Sequence, residues 1–149
     1  VEAIIHQTCQ LDCSPSEAYQ WFTEDEKLET FFAVEANVEP KLGGKYELSW
    51  DPENKPDDST IGCRITALAA GRMLAFDWKG PVQFAAIMNE ADPLTHVVLS
   101  FFPLDPERCE IHLVHTGWRE GDTWMAARDY FDHAWRSVFD ALKEEVNSD

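Results

Sequence analysis

The feature that most constrains this chain lies near its end. Trp124, Ala127, Phe131, Ala134, Trp135, Val138, Leu142 and Val146 recur at spacings of three and four. That period predicts an amphipathic helix of about 25 residues with one broad apolar stripe. Asp122 stands where such a helix takes its cap. A stripe of that length has to be buried. No other segment reads as a helix long enough to pair with it, so its partner must be a sheet.

The preceding sequence supplies the strands. Val1 to Cys13 alternates, with Ala3, Ile5, Cys9, Leu11 and Cys13 on one side, and reads as a first strand. Ser14-Pro15-Ser16-Glu17 is a capping box with proline in the first turn, predicting a short helix through Phe22. Thr23-Glu24-Asp25-Glu26 repeats the box and predicts a second short helix ending near Phe32. Ala36 to Glu39 is a short strand closed by Pro40. Gly43-Gly44 marks a turn. Lys45 to Trp50 then alternates, with Tyr46, Leu48 and Trp50 on one face. Asp51 to Ser59 is a polar loop. Thr60 to Leu68 and Met73 to Lys79 read as strands around a turn at Gly71-Arg72. Cys63 alternates with Ile61 and Ile65 as core, and Asp77 points away from Phe76 and Trp78. Gly80-Pro81 breaks the last strand, and Val82 to Pro93 reads as an insertion with a short helix around Phe84 to Met88. Thr95 to Leu104 and Cys109 to Thr116 form a hairpin across Asp105-Pro106-Glu107.

The expected fold is therefore α+β: an antiparallel sheet of six or seven strands wrapped around one long C-terminal helix, with two short helices after the first strand. The 149 residues suit a single domain, 1–149, which can bury a core without staples. A curved sheet closed by one helix leaves an internal space, and six Trp, nine Phe and three Tyr are more aromatics than a minimal core needs.

Charge narrows the partners. The net charge of −16 repels phosphate, so nucleic acid and anionic membrane are set aside. The acidic surface reads first as an aid to solubility, and a basic protein partner is the alternative. No apolar run approaches the ~18 residues of a membrane span, and no secretory leader is legible. Cys9, Cys13, Cys63 and Cys109 form no CxxC pair. They read as free thiols, and the expected location is the cytoplasm.

Several stretches resemble one known family. Trp21-Phe22-Thr23-Glu24-Asp25-Glu26-Lys27-Leu28 followed by Phe31-Phe32, the turn Gly43-Gly44-Lys45-Tyr46, and Gly62 through Leu68 leading into Arg72-Met73-Leu74-Ala75-Phe76-Asp77-Trp78 carry the resemblance. His115-Thr116-Gly117-Trp118 and Trp135-Arg136-Ser137-Val138-Phe139-Asp140-Ala141-Leu142-Lys143 complete it in order. Together they resemble the START-like SRPBCC superfamily, and within it the homologues of the activator of the heat-shock protein 90 ATPase. The resemblance implies a helix-grip fold that holds a small hydrophobic molecule between sheet and helix. It also implies a minority of members that catalyse reactions there, and by analogy a homodimer. The stretch from Gly80 to Pro93 is longer than the family's hairpin, as a lid or reshaped cavity mouth would be.

The expected cavity lining is Tyr46, Trp50, Phe76, Trp78, His115, Trp135 and Phe139. Large rings bring area, and Trp and Tyr add one polar handle each. His115 falls on the inward side with Ile111 and Leu113. It reads first as a core histidine satisfied by a neighbour, and on the sharper reading as a polar anchor for a ligand or a general base, because histidine titrates near neutrality. Arg64, Arg119 and Arg128 are candidate anchors for a carboxylate. His112 and His115 lie three apart on a strand and face opposite sides, so no metal site is expected. No catalytic residue or cofactor site is assigned. Binding of a small hydrophobic ligand is the leading function. A protein-binding stress-response or co-chaperone module is the alternative, and a cyclase- or hydrolase-type enzyme using His115 is the third.

Overall fold

The computed structural model describes residues 3–54 and 57–147. Val1 and Glu2 of the expected first strand, and Lys55 and Pro56 of the expected loop, lie outside the described residues.

The chain runs β1 (Ile5–Leu11), α1 (Pro15–Thr23), α2 (Asp25–Phe31), β2 (Glu35–Val38), β3 (Tyr46–Ser49), β4 (Ile65–Ala69), β5 (Met73–Trp78), α3 (Ala85–Met88), β6 (Thr95–Asp105), β7 (Arg108–Thr116) and α4 (Asp122–Asn147). Single 3-10 turns occupy Pro52–Asn54 and Val82–Phe84. The main sheet is antiparallel with order β1-β7-β6-β5-β4, and β2-β3 form a separate pair. Bridges Lys45–Arg64 and Ser49–Ser59 tie the pair to the segment that leads into β4. Against the expected six or seven strands, the described residues form seven, divided five and two, around one long helix.

Burial follows the two periods. Ile5, Cys9, Leu11, Leu74, Phe76, Trp78, Val97, Leu99, Ile111 and Leu113 face inward from alternate strand positions. Ala127, Phe131, Trp135, Phe139 and Leu142 face them from the stripe of α4. Each fully buried side chain of Leu or Phe size contributes about 1.5–3 kcal/mol. Helix α1 starts as its sequence dictates: Ser14 Oγ accepts from Glu17 N at 3.2 Å, with proline in the first turn.

Other boundaries differ from the sequence reading. Thr23 caps nothing: α1 extends through it, and its hydroxyl donates back to Tyr19 O at 3.0 Å. Glu24 is the residue between the helices, and Asp25 Oδ1 instead accepts from Val38 N, fixing α2 to β2. The strand expected from Thr60 begins only at Ile65. Residues 60–63 make a turn, closed by Cys63 N donating to Thr60 O, with Gly62 at φ +96°. Thr60 spends its side chain as a surrogate strand, accepting from Leu48 N and donating to Tyr46 O. Ile61 is consequently 39% exposed, while Cys63 and Ile65 are buried. Asp122 is the first residue of α4, not its cap, and Gly121 O accepts from Met125 N.

Candidate functional site

A cavity of about 300 Å³ lies between the β5 side of the sheet and the middle of α4. Trp50 follows β3, Trp78 ends β5, and Trp135 sits on the stripe of α4; all three line it. Phe32, Tyr130, Phe131, Ala134 and Val138 complete the apolar wall, and Asp58, Ser59, Lys79, Gly80 and Pro81 form its polar side.

The rings brace each other at aromatic-pair distances. Trp78 and Trp135 have centroids 4.9 Å apart, Trp50 meets Trp78 edge-on at 6.1 Å, and Phe32 lies within 6 Å of Trp50, Trp78 and Trp135. Two of the three indole N–H groups are committed to the protein. Trp50 Nε1 donates to Phe32 O at 2.6 Å, and Trp135 Nε1 donates to His115 Nδ1 at 3.0 Å. Trp78 Nε1 is buried and has no acceptor among the described residues.

The other four expected lining residues are buried but do not line the cavity. Tyr46 stacks on Phe76 at 3.9 Å, and its hydroxyl donates to Phe22 O; burial holds its phenol protonated. Phe139 packs one turn further along α4. His115 lies behind the wall, fully buried. Because Nδ1 accepts from Trp135, its proton sits on Nε2, which donates to Thr95 Oγ1 at 3.0 Å. Thr95 Oγ1 in turn donates to Trp78 O at 3.2 Å. Burial, helped by nearby His96, pushes the His115 pKa down to about 3. This imidazole is a neutral structural link between β6, β7 and α4, with both nitrogens used.

The candidate arginines are elsewhere. Arg128 donates to Ile4 O, and Arg119 donates to Gly117 O and Pro93 O with its guanidinium over Trp124. Arg64 is not among the lining residues either. The cation on the cavity wall is Lys79, whose Nζ donates to Ile61 O at 2.6 Å. Among the described residues no group of three or more His, Cys, Asp or Glu converges as a metal site. His112 pairs with His6 on the outer face, opposite His115. All four cysteines are buried free thiols, and burial pushes Cys9 up to about 11 and Cys63 to about 12.

The insertion after β5 bounds the mouth. Asn89 clamps Gly80 by accepting from its N–H at 2.8 Å and donating to its carbonyl at 3.1 Å. Met88 is buried against Gly80, where a Cβ would come within 2.5 Å of its sulfur. Phe84 meets Tyr130 of α4 edge-on at 5.5 Å.

The sequence reading missed Phe32, Tyr130 and Lys79. Phe131, Ala134 and Val138 stood in the helical stripe but were not assigned to the cavity. The one signal for them was the small residue in that stripe: Ala134, between Phe131 and Val138, leaves room where a larger side chain would fill it.

The profile of the family described as "Activator of Hsp90 ATPase homolog 1-like protein" matches residues 12–147. Solved structures share the fold at low identity. Protein MLL2253 from Mesorhizobium loti superposes with a TM-score of 0.76 at 15% identity, covering 98% of each chain. The Aha1 dimer from Colwellia psychrerythraea has a TM-score of 0.70 at 15% identity, over 96% of this chain and 95% of that one. PFC0360w, an HSP90 activator from Plasmodium falciparum, has a TM-score of 0.73 at 17% identity, over 96% and 94%. No curated protein matches the chain.

Proposed function

Starting from a chain that belongs to the family of activator of Hsp90 ATPase homolog 1-like proteins, we propose that it binds a small hydrophobic molecule in the cavity between β5 and α4. One observation carries this reading. About 300 Å³ of space is walled by six aromatic rings beside the hydrophobic core. Void space normally lowers stability. A well-formed apolar pocket with a few polar groups at its rim is the ordinary form of a small-molecule site. Trp50, Trp78 and Trp135 form the contact surface, with Phe32, Phe131 and Ala134 between them. Phe76 packs behind Trp78 with Tyr46 stacked on its far side, and His115 holds Trp135 through its indole N–H.

Native mass spectrometry of the purified protein, followed by denaturation and solvent extraction, tests the proposal. A retained apolar molecule supports it. A clean apoprotein that also shows no thermal shift across a lipid and aromatic library contradicts it.

A protein-binding role is the second reading, supported by the net charge of −16 and by the relative from Plasmodium falciparum, described as an HSP90 activator. It predicts association with a basic partner that weakens steeply with salt, which binding in an apolar cavity does not. A homodimer is proposed on the likeness to the Colwellia dimer, and sedimentation velocity tests it. The cytoplasm remains the proposed location, on the four free thiols. The enzyme reading loses its base in this geometry, since both nitrogens of His115 are bonded inside the protein.

A further inference from the structure

A second space adjoins the cavity on the outer surface of α4. It is an open, mainly apolar groove lined by Phe84, Ala126, Asp129, Tyr130, Ala134 and Ser137. Tyr130 and Ala134 belong to both spaces. Ala134 is half-buried and puts only a methyl group between them, and Tyr130 is 42% exposed. Aromatic rings continue from one space to the other. Phe84 meets Tyr130 at 5.5 Å, Tyr130 meets Phe131 at 5.0 Å, and Phe131 lies 6.3 Å from both Trp78 and Trp135. Phe84 comes from the insertion after β5, so the insertion supplies the bank of the groove that faces α4. Ala126, Tyr130 and Ala134 follow one another at one-turn spacing on α4. A helix face turned to water ordinarily carries charge there.

We propose that the occupant is an uncharged single-chain amphiphile. Its methyl end fills the aromatic cavity, and the rest of its chain passes Ala134 and lies in the groove between Phe84 and α4. This rests on the cavity-binding reading and adds the class of ligand. Size supports a molecule that continues outside: about 300 Å³ is at the lower end for small-molecule pockets, and the groove adds apolar wall at the point where the cavity ends. From Ala134 to Ala126 the groove follows about 12 Å of helix. A polar head keeps its water, so it emerges on the open side of the groove, beside Asp129 and Ser137. Charge selects the kind of head. The net charge is −16 and Asp129 borders the groove, which disfavours a carboxylate against an alcohol, amide or ester. Lys79, the one cation on the cavity wall, is bonded to Ile61 O and does not line the groove.

Octan-1-ol and dodecan-1-ol test this. The heavy atoms of octanol, each given a water's share of liquid volume, need about 270 Å³, which the cavity of about 300 Å³ holds. Dodecanol exceeds that space and has to continue outside it. With the cavity acting alone, its extra methylenes would stand in water and add nothing. Half-buried in the groove, each should add about twofold. Isothermal titration calorimetry should therefore find dodecanol tighter by roughly tenfold. Ala126→Glu and Ser137→Glu each put a charge into the groove at an exposed helix position, where a substitution costs little stability. In both variants the ratio of the two affinities should fall to about one. Equal affinities in the wild type, or a dodecanol preference that survives both variants, overturns the inference while leaving the cavity as a binding site. If dodecanoate binds more tightly than dodecanol, the uncharged class is wrong and the cavity reading stands. Binding by none of the three overturns the inference, and the extraction experiment then decides the cavity reading separately.

Discussion

The two sides of α4 treat the sheet differently. Along one edge the helix is tied to β1: Arg128 donates to Ile4 O, Gln7 donates to Asp132 O and Oδ1, Arg136 reaches Thr8 O, and Asn147 Oδ1 accepts from Asp12 N. Those helix residues follow a helical period on one face. On the other side Tyr130, Ala134 and Val138 border the cavity. The sheet order puts β1 at one edge and β5 next to the far edge. Because sheets twist, a straight helix fixed to one edge diverges from the other. The opening is then a consequence of the grip at β1, and the aromatic rings of Phe32, Trp50 and Trp78 partly fill it.

This contrast can be broken from either side. The largest effect is expected where the helix packs solidly. Phe139→Ala should lose about 3–5 kcal/mol in urea unfolding, the usual range for emptying a buried phenylalanine site. Ala134→Trp, on the cavity side, should change stability by less than about 1 kcal/mol, because the new ring enters existing space. A loss as large as that of Phe139→Ala would show the two sides to be equally packed.

Next in size is the link between the halves, His115. Its folded pKa is depressed to about 3, against about 6.5 when unfolded. The unfolded chain therefore takes up the proton first. The stabilisation is complete above pH 6.5 and is lost progressively as pH falls from 6.5 towards 3, at about 1.4 kcal/mol per pH unit. Between pH 7 and pH 5 the wild type should lose about 2 kcal/mol more than His115→Gln does. Matching slopes for the two proteins in denaturant titrations would mean that His115 is not buried neutral.

The smallest effect belongs to the stitching itself. Arg128→Ala should cost about 0.5–1.5 kcal/mol, the worth of its bond to Ile4 O, read as a shift in the urea midpoint with the m-value unchanged.

Much of this fold was legible in the sequence because its signals are local. The threes and fours from Trp124 to Val146, the box at Ser14 and the alternation through the β6–β7 hairpin depend on neighbours within one or two turns. Thr60 misled for the opposite reason. Its hydroxyl takes over the strand partners of Leu48 and Tyr46, twelve or more residues away, and period two continues through the turn unmarked. The same limit explains the site. Alternation correctly put Phe76 and Trp78 on one face, yet only Trp78 reaches the cavity, since depth along that face depends on how far the sheet has twisted away from α4. His115 read as inward, and it is. Its two bonds to Trp135 and Thr95 are set by register between distant strands and helix, and no spacing in the chain announces them.

The most direct test of the central claim is calorimetric binding of the apolar molecule recovered by solvent extraction to the wild type and to Ala134→Trp, with urea unfolding of both. The account predicts binding to the wild type, none to the variant, and the same unfolding midpoint within about 1 kcal/mol. Equal binding by a stably folded Ala134→Trp would place the ligand somewhere other than the cavity between β5 and α4, and the account would be wrong.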